Sequence, residues 1–296
     1  MRILSVHAHY DDYEFTASGT FAAWAERAGP DLRARVIVCT DGRAGHQFRT
    51  PVETSALRRK EQEASARVGG YEFQPLRLPD GQQPREACLL LTRDLLAGLW
   101  KAIRDFEPDY IFCPPVPDDA LAGIHVDHVT VADAVRRVAY MINVPHAFVA
   151  EYPPAEAPGS PARPCKVPVI VNVYDSYTRG SNSYDLAVDV EPQFEKICAM
   201  SWCHQSQIVE WLPWVGRHDT EAPATQDDWK RTTRRRFDRK NAELGIRSAH
   251  AMEVFTVTAW GIVPTLRQIT DDFPQLVPDR SRLKQLEKRL KRWSGT

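Results

Sequence analysis

Short apolar runs alternate with amphipathic stretches through the first half of the chain, and this alternation leaves few folds open. Ile3-Leu4-Ser5-Val6, Arg35-Val36-Ile37-Val38-Cys39-Thr40 and Tyr110-Ile111-Phe112-Cys113 are short, apolar and rich in β-branched or aromatic residues. Each predicts a strand, and Leu76 with Leu78 marks another. Between them, Phe21, Trp24, Ala25 and Ala28 share a helical face that Gly29 ends, and Thr54 to Val68 reads as a charged helix. Leu91, Leu95, Leu99 and Ile103 recur every four residues, and Val131, Ala134, Val135 and Val138 line one side of a further helix. Strands this apolar are covered on both faces, so the expected fold class is α/β, a doubly wound, mostly parallel, Rossmann-like sheet.

After Pro145 the pattern changes. Tyr152 to Pro168 is rich in proline and small residues and reads as a loop; Val169 to Tyr174 and Asp185 to Val190 read as further strands. A helix is expected from about Pro192 to Trp211, and a basic helical stretch around Arg231 to Leu244. The expected organisation is a catalytic core over residues 1–150 and a C-terminal α/β extension over 151–296 that caps the site and walls the pocket. The final helix carries Leu283, Leu286, Leu290 and Trp293 on one face among Lys and Arg residues, a pattern expected of a helix packed on its own domain.

Composition narrows the function. Thirty-eight basic residues against 39 acidic ones leave a formal charge of −1, which gives no bulk attraction to nucleic acid or anionic membrane. No apolar run approaches the roughly 20 residues of a membrane span, and the N-terminus enters a strand pattern directly, so a cytoplasmic protein is expected. The six cysteines include no Cys-x-x-Cys pair, so any metal is held by nitrogen and oxygen. No Gly-x-Gly-x-x-Gly follows the first strand, against a dinucleotide site.

In doubly wound sheets ligands sit beyond the carboxyl ends of the strands, and the unusual polar residues of this chain fall there. Ala8-His9-Tyr10-Asp11-Asp12 follows the first strand and crowds one imidazole and two carboxylates into four residues, an arrangement a dication relieves. Catalytic zinc takes three protein ligands from such donors and keeps a position for water. On a tight turn His9 and Asp12 can bend toward one point, with Asp11 beside the water. Gly123-Ile124-His125-Val126-Asp127-His128 precedes a helix, and its two histidines can face one side: one to ligate, the other to bond what the metal polarises. Asp127 can fix the tautomer of one ring.

Together these motifs resemble the LmbE-like (PIG-L) N-deacetylase family, whose motifs usually read Ala-His-Pro-Asp-Asp and His-Pro-Asp-His. Val38 to His46, Arg58 with Glu61, Leu78-Pro79-Asp80-Gly81 and Cys203-His204-Gln205-Ser206-Gln207 are similar to further segments of that family. The resemblance implies zinc ligands His9, Asp12 and His128, with iron or cobalt as other occupants of such a site. It makes Asp11 the general base and His125 the group that, as imidazolium, stabilises the oxyanion or else assists the leaving amine, oriented by Asp127. Arg58 is the expected substrate contact, although Arg58-Arg59-Lys60-Glu61 also suits a solvated helix face. Tyr10 and Val126 stand where proline is usual, and Gly123 where some members carry a tyrosine; Tyr10 and Tyr13 are the substitutes considered. His7 is expected to pack inside the fold, Glu14 to be structural, His46 to be structural or exposed, and His204 to tie the C-terminal lobe to the site.

The expected reaction is metal-assisted removal of an N-acyl group, acetyl foremost, from an amino sugar or glycoside-like small molecule. The alternatives are hydrolysis of a non-sugar amide, such as a natural-product or thiol conjugate, and a non-catalytic metal-containing binding protein. The expected partners are a small N-acylated substrate and a second copy of the chain, with no nucleic acid or membrane. If the implied ligand set is right, His128→Ala loses the metal while His125→Ala keeps it, which elemental analysis of the purified variants decides.

Overall fold

The computed structural model describes residues 1–144, 146–152, 164–216 and 221–295. In the first half β1 (Arg2–His7), α1 (Asp12–Thr16), α2 (Ser18–Ala28), β2 (Arg33–Val38), α3 (Pro51–Gly69), β3 (Glu72–Pro75), α4 (Arg93–Phe106), β4 (Tyr110–Cys113) and α5 (Val126–Met141) alternate as the apolar periodicity predicts. The second half adds β5 (Val169–Val173), β6 (Leu186–Asp189), α6 (Phe194–Trp202), α7 (Leu212–Val215), α8 (Gln226–Glu243), β7 (Met252–Val257), α9 (Leu266–Asp272) and α10 (Leu283–Ser294).

All seven strands join one sheet in the order β3-β2-β1-β4-β5-β7-β6. The first five are parallel, and β7 runs antiparallel to both β5 and β6. Successive residues of a strand face opposite sides, and the core obeys that period. Ile3, Val36, Phe112 and Val171 pack with Phe21 and Trp24 of α2 and Ile197 of α6 on one face. Leu4, Ile37, Ile111 and Ile170 pack with Leu99 of α4 and Val135 of α5 on the other. The fold is therefore the mixed α/β, mostly parallel sheet that the sequence predicts.

Several boundaries differ from expectation. The third strand ends at Pro75, with Leu76 buried just beyond it. Helix α3 starts earlier than Thr54 because Thr50 and Glu53 form a reciprocal capping box around Pro51. The long helix expected to Trp211 stops at Trp202 and resumes as a π-helical turn, Ser206–Trp211. There the Glu61 carboxylate accepts from the Ser206 N–H at 2.7 Å and its hydroxyl at 2.6 Å.

The last helix packs on its own domain. Leu286 and Leu290 are buried in the core, and Arg289 donates to the buried Asp185 carboxylate at 2.5 Å. Residues 153–163 of the proline-rich loop lie outside the described residues. Among those described, no helix is long and apolar enough to cross a membrane. Leu286 is fully buried, so Leu286→Ala is expected to cost about 2–5 kcal/mol, read from denaturant unfolding; a loss within about 0.5 kcal/mol would mean α10 is dispensable to the core.

Candidate metal centre

Strand order reverses between β1 and β4, and the loops that leave their carboxyl ends border one crevice. The β1 loop is a tight turn in which Asp11 takes φ 85, a left-handed conformation costly for most side chains that aspartate tolerates. Its N–H donates to Gln62 Oε1 at 3.2 Å. The turn delivers His9 and Asp12 to the crevice. The loop after β4 ends at His125, whose ring caps α5 by accepting the Asp127 N–H, so that His128 projects from the first turn.

Three donor atoms meet here. His9 Nδ1 and His128 Nε2 lie 3.1 Å apart, and Asp12 Oδ2 is 3.6 Å from the first and 3.4 Å from the second. A tetrahedral cation with bonds of about 2.0–2.1 Å sets its ligand atoms about 3.3 Å apart, so the triangle has the size such an ion requires. His125 also offers a nitrogen within 4.8 Å of nitrogens on His9 and His128. The crevice thus offers overlapping donor sets, of which His9–Asp12–His128 includes a carboxylate.

Each imidazole is held through its other nitrogen. His9 Nε2 lies 3.1 Å from Asp127 Oδ2, and His128 Nδ1 lies 2.8 Å from Asp175 Oδ2. Burial opposes charge on both rings, but Asp12 and Asp127 lift His9 to about 9, while Asp12 and Asp175 lift His128 well above the usual range. Against its own burial, Asp12 is kept well below the carboxylate range by His128 and His9. Rings backed by carboxylates in this way are oriented and more basic donors.

The placement of Asp127 differs from the sequence reading. It was expected to orient His125, but its carboxylate faces His9 and accepts the N–H groups of Ala87 at 2.9 Å and Leu89 at 2.6 Å. Only its backbone N–H reaches His125, at 3.3 Å on Nδ1. That bond leaves the proton of a neutral ring on Nε2. Burial, with His9 and His128 close by, holds His125 below its ordinary range, which favours that neutral ring over the expected imidazolium.

Asp11 is 7% exposed, and burial raises its pKa to about 6 although Arg58 opposes the shift. Arg58 is itself buried under the turn. It donates to Tyr10 O at 2.9 Å and Glu86 Oε1 at 2.7 Å, and its Nη2 is 3.6 Å from Asp11 Oδ1. This position suits holding the turn, and it differs from the solvated face that the local charge pattern allows.

The departures from the family motifs have physical counterparts. Tyr10 is buried against Phe73, and a Cβ on Gly42 would lie only 2.5 Å from its ring, so glycine makes room for it. Tyr13 is in the core. Neither reaches the crevice as a substitute for the tyrosine missing at Gly123. Tyr177 does: its ring centroid is 5.1 Å from that of His125 and 5.3 Å from that of His128. Sequence reasoning missed both Tyr177 and Asp175. Their signal was their place just past the carboxyl end of β5, the parallel neighbour of β4.

The remaining histidines frame the site. His7 is buried 2.6 Å from Ser5 Oγ, and burial lowers it to about 4. His204 is buried 3.5 Å from Glu14, whose carboxylate also accepts from Ser65 and Tyr71. His46 Nε2 lies 2.6 Å from Glu210 on the π-helical turn.

Comparison with known proteins finds a family match and structural neighbours. The profile of the PIG-L family, GlcNAc-PI de-N-acetylase, matches residues 4–139. No curated protein gives a significant sequence match. Among solved structures, the N,N'-diacetylchitobiose deacetylase of Pyrococcus horikoshii is similar, with TM-score 0.64, 20% identity and coverage of 88% of this chain and 84% of that one. GalB, the 4-carboxy-2-hydroxymuconate hydratase of Pseudomonas putida KT2440, has TM-score 0.58, 17% identity and coverage of 87% and 95%. The A40926 pseudoaglycone deacetylase Dbv21 has TM-score 0.54, 12% identity and coverage of 88% and 98%. The family and two of these three neighbours are deacetylases, hydrolases of amide C–N bonds. At such identities the structural likeness is one of fold, and GalB is a reminder that the fold alone does not fix the reaction.

Asp175 is the untested support of the triangle. Asp175→Ala is expected to weaken zinc binding about 10–100-fold in a chelator competition with the metal-depleted protein. An unchanged affinity would mean that His128 is oriented without it.

Proposed function

We propose that this chain, whose residues 4–139 form a PIG-L family domain, is a zinc-dependent N-deacetylase acting on an N-acylated amino sugar or glycoside-like small molecule. The observation that carries the reading is the triangle of His9 Nδ1, Asp12 Oδ2 and His128 Nε2, with edges of 3.1 to 3.6 Å. These three residues would hold the ion. When bound, zinc polarises the amide carbonyl and acidifies water.

The chain's own residues supply the rest. Asp11 adjoins the triangle, is held by Arg58 and has its basicity raised by burial. As general base it takes a proton from water as the oxygen adds to the carbonyl carbon, and it returns that proton to the amine as the C–N bond breaks. The products are a carboxylate and a free amine. His125, with its Nε2–H directed away from the α5 cap, donates to the oxygen that becomes negative, and Tyr177 borders the same position. Asp127 and Asp175 are positioning residues that act through His9 and His128.

In this reading residues 151–296 form the wall of the pocket. Tyr174, Tyr177, Leu212 and Arg236 support it, since they line the cleft that Asp11, Asp12 and His128 floor. Asp11→Asn keeps the side chain's shape and removes the base. It is expected to lower kcat on N-acetylated amino sugars about 100- to 10,000-fold with zinc content unchanged. Near-full turnover in that variant would overturn the assignment of the base, and stoichiometric zinc with no amidase activity in the wild type would favour a binding protein.

A further inference from the structure

Among the described residues the charges around the cleft pair off, save one. Asp12 lies 3.6 Å from His9 and 3.4 Å from His128, Asp175 lies 2.8 Å from His128, and Asp11 lies 3.6 Å from Arg58. Arg236, from α8, lines the same cleft. Its guanidinium stands 4.0 Å over the Phe15 ring. Among the described residues no carboxylate or carbonyl takes its N–H groups.

The sequence pattern of α8 suggests a solvated basic face; Arg231, Arg235 and Arg239 are exposed, whereas Arg234 lies over Phe194 and pairs with Glu191. Arg231 bonds to Asp228, Arg234 to Glu191 at 2.6 and 2.7 Å, and Arg235 to the Thr232 hydroxyl at 3.1 Å. Arg236 instead turns inward, partly buried, with its planar fork unused. Burial weakens its charged form, and Tyr177 and Asp11 oppose that effect. A partly buried guanidinium stacked on an aromatic face keeps its N–H donors for another group, and their fork matches a carboxylate or phosphate.

We infer that the cleft takes a substrate bearing an anionic group, a carboxylate or phosphate in addition to the amide, and that Arg236 binds that group. The amide end of this inference rests on the N-deacetylase reading; the anion site does not. Positioning Asp11 is a lesser role for Arg236, because Arg58 already holds that carboxylate and Arg236 makes no ion pair with it.

The test is calorimetric titration of the zinc-loaded full chain with three probes: N-acetylglucosamine, its 6-phosphate, and N-acetylmuramic acid. Wild type is expected to bind at least one anionic sugar about tenfold or more tighter than the neutral one, the scale of a charge-assisted bond in a partly desolvated site. Arg236→Met is expected to collapse that ratio, and Arg236→Lys to restore part of it. Circular dichroism melts confirm that each variant folds, and Arg236→Gln replaces the methionine variant if it does not. The inference falls if wild type shows no preference for either anionic sugar, if neither of them binds, or if the preference survives loss of the guanidinium, which would assign it to the metal. Turnover on the same samples separates the two readings. An inert protein with an Arg236-dependent preference would sink the deacetylase and leave the anion site; turnover without the preference would do the reverse.

Discussion

Two imidazoles 119 positions apart in sequence come within 3.1 Å, and one carboxylate lies against both. The rest of the molecule can be understood as what that contact requires. It needs two chain segments that leave adjacent strands at the same end of a sheet, and a parallel sheet whose order reverses between β1 and β4 provides them. It also needs turns stiff enough to hold donor atoms to a few tenths of an ångström. On one side the turn is set by the left-handed Asp11 and the buried Arg58 beneath Tyr10 O, and on the other by His125 capping α5. Carboxylates complete the arrangement by fixing the far nitrogen of each ring. Burying several carboxylates in one crevice is unfavourable unless each has a partner, and here the partners are the histidines themselves and Arg58.

The parts of this design that are local in sequence were legible there. Strands β1, β2 and β4 read as short apolar runs, helix α4 as a four-residue repeat, and the residues of the triangle as two dense polar motifs at strand ends. The capping box of α3 is legible as Thr50-Pro51-Val52-Glu53, although the apolar period of that helix starts later. The break after Trp202 was not legible, because Glu61 imposes it from another helix. Strand β7 was missed for a related reason. Its Glu253, which breaks the apolar run, is buried because its carboxylate accepts the N–H groups of Gly19 and Thr20 at the start of α2.

The partners of the histidines were harder to see. Asp127 sits between His125 and His128 in sequence, which suggests that it serves one of them. On a helix start, however, adjacent residues point about 100° apart, and its carboxylate reaches His9 instead. Asp175 belongs to no motif and is recognisable only once β5 is known to lie beside β4. Pairing across strands is non-local information, so a single sequence shows the donors of a site better than what orients them.

The division between the halves of the chain follows from the same logic. The residues that make the triangle, and Asp11 beside it, come from the first 128 positions, within the span matched by the family profile. Those that line the cleft above it, Tyr177, Leu212 and Arg236, come from loops and helices after β5. The chemistry of the first set demands fixed geometry, because a donor displaced by an ångström no longer closes the triangle. The second set needs only to present shape and charge to a ligand. A fold arranged this way can keep the triangle and change what the cleft presents by altering residues such as Arg236, whose guanidinium meets no carboxylate or carbonyl among the described residues.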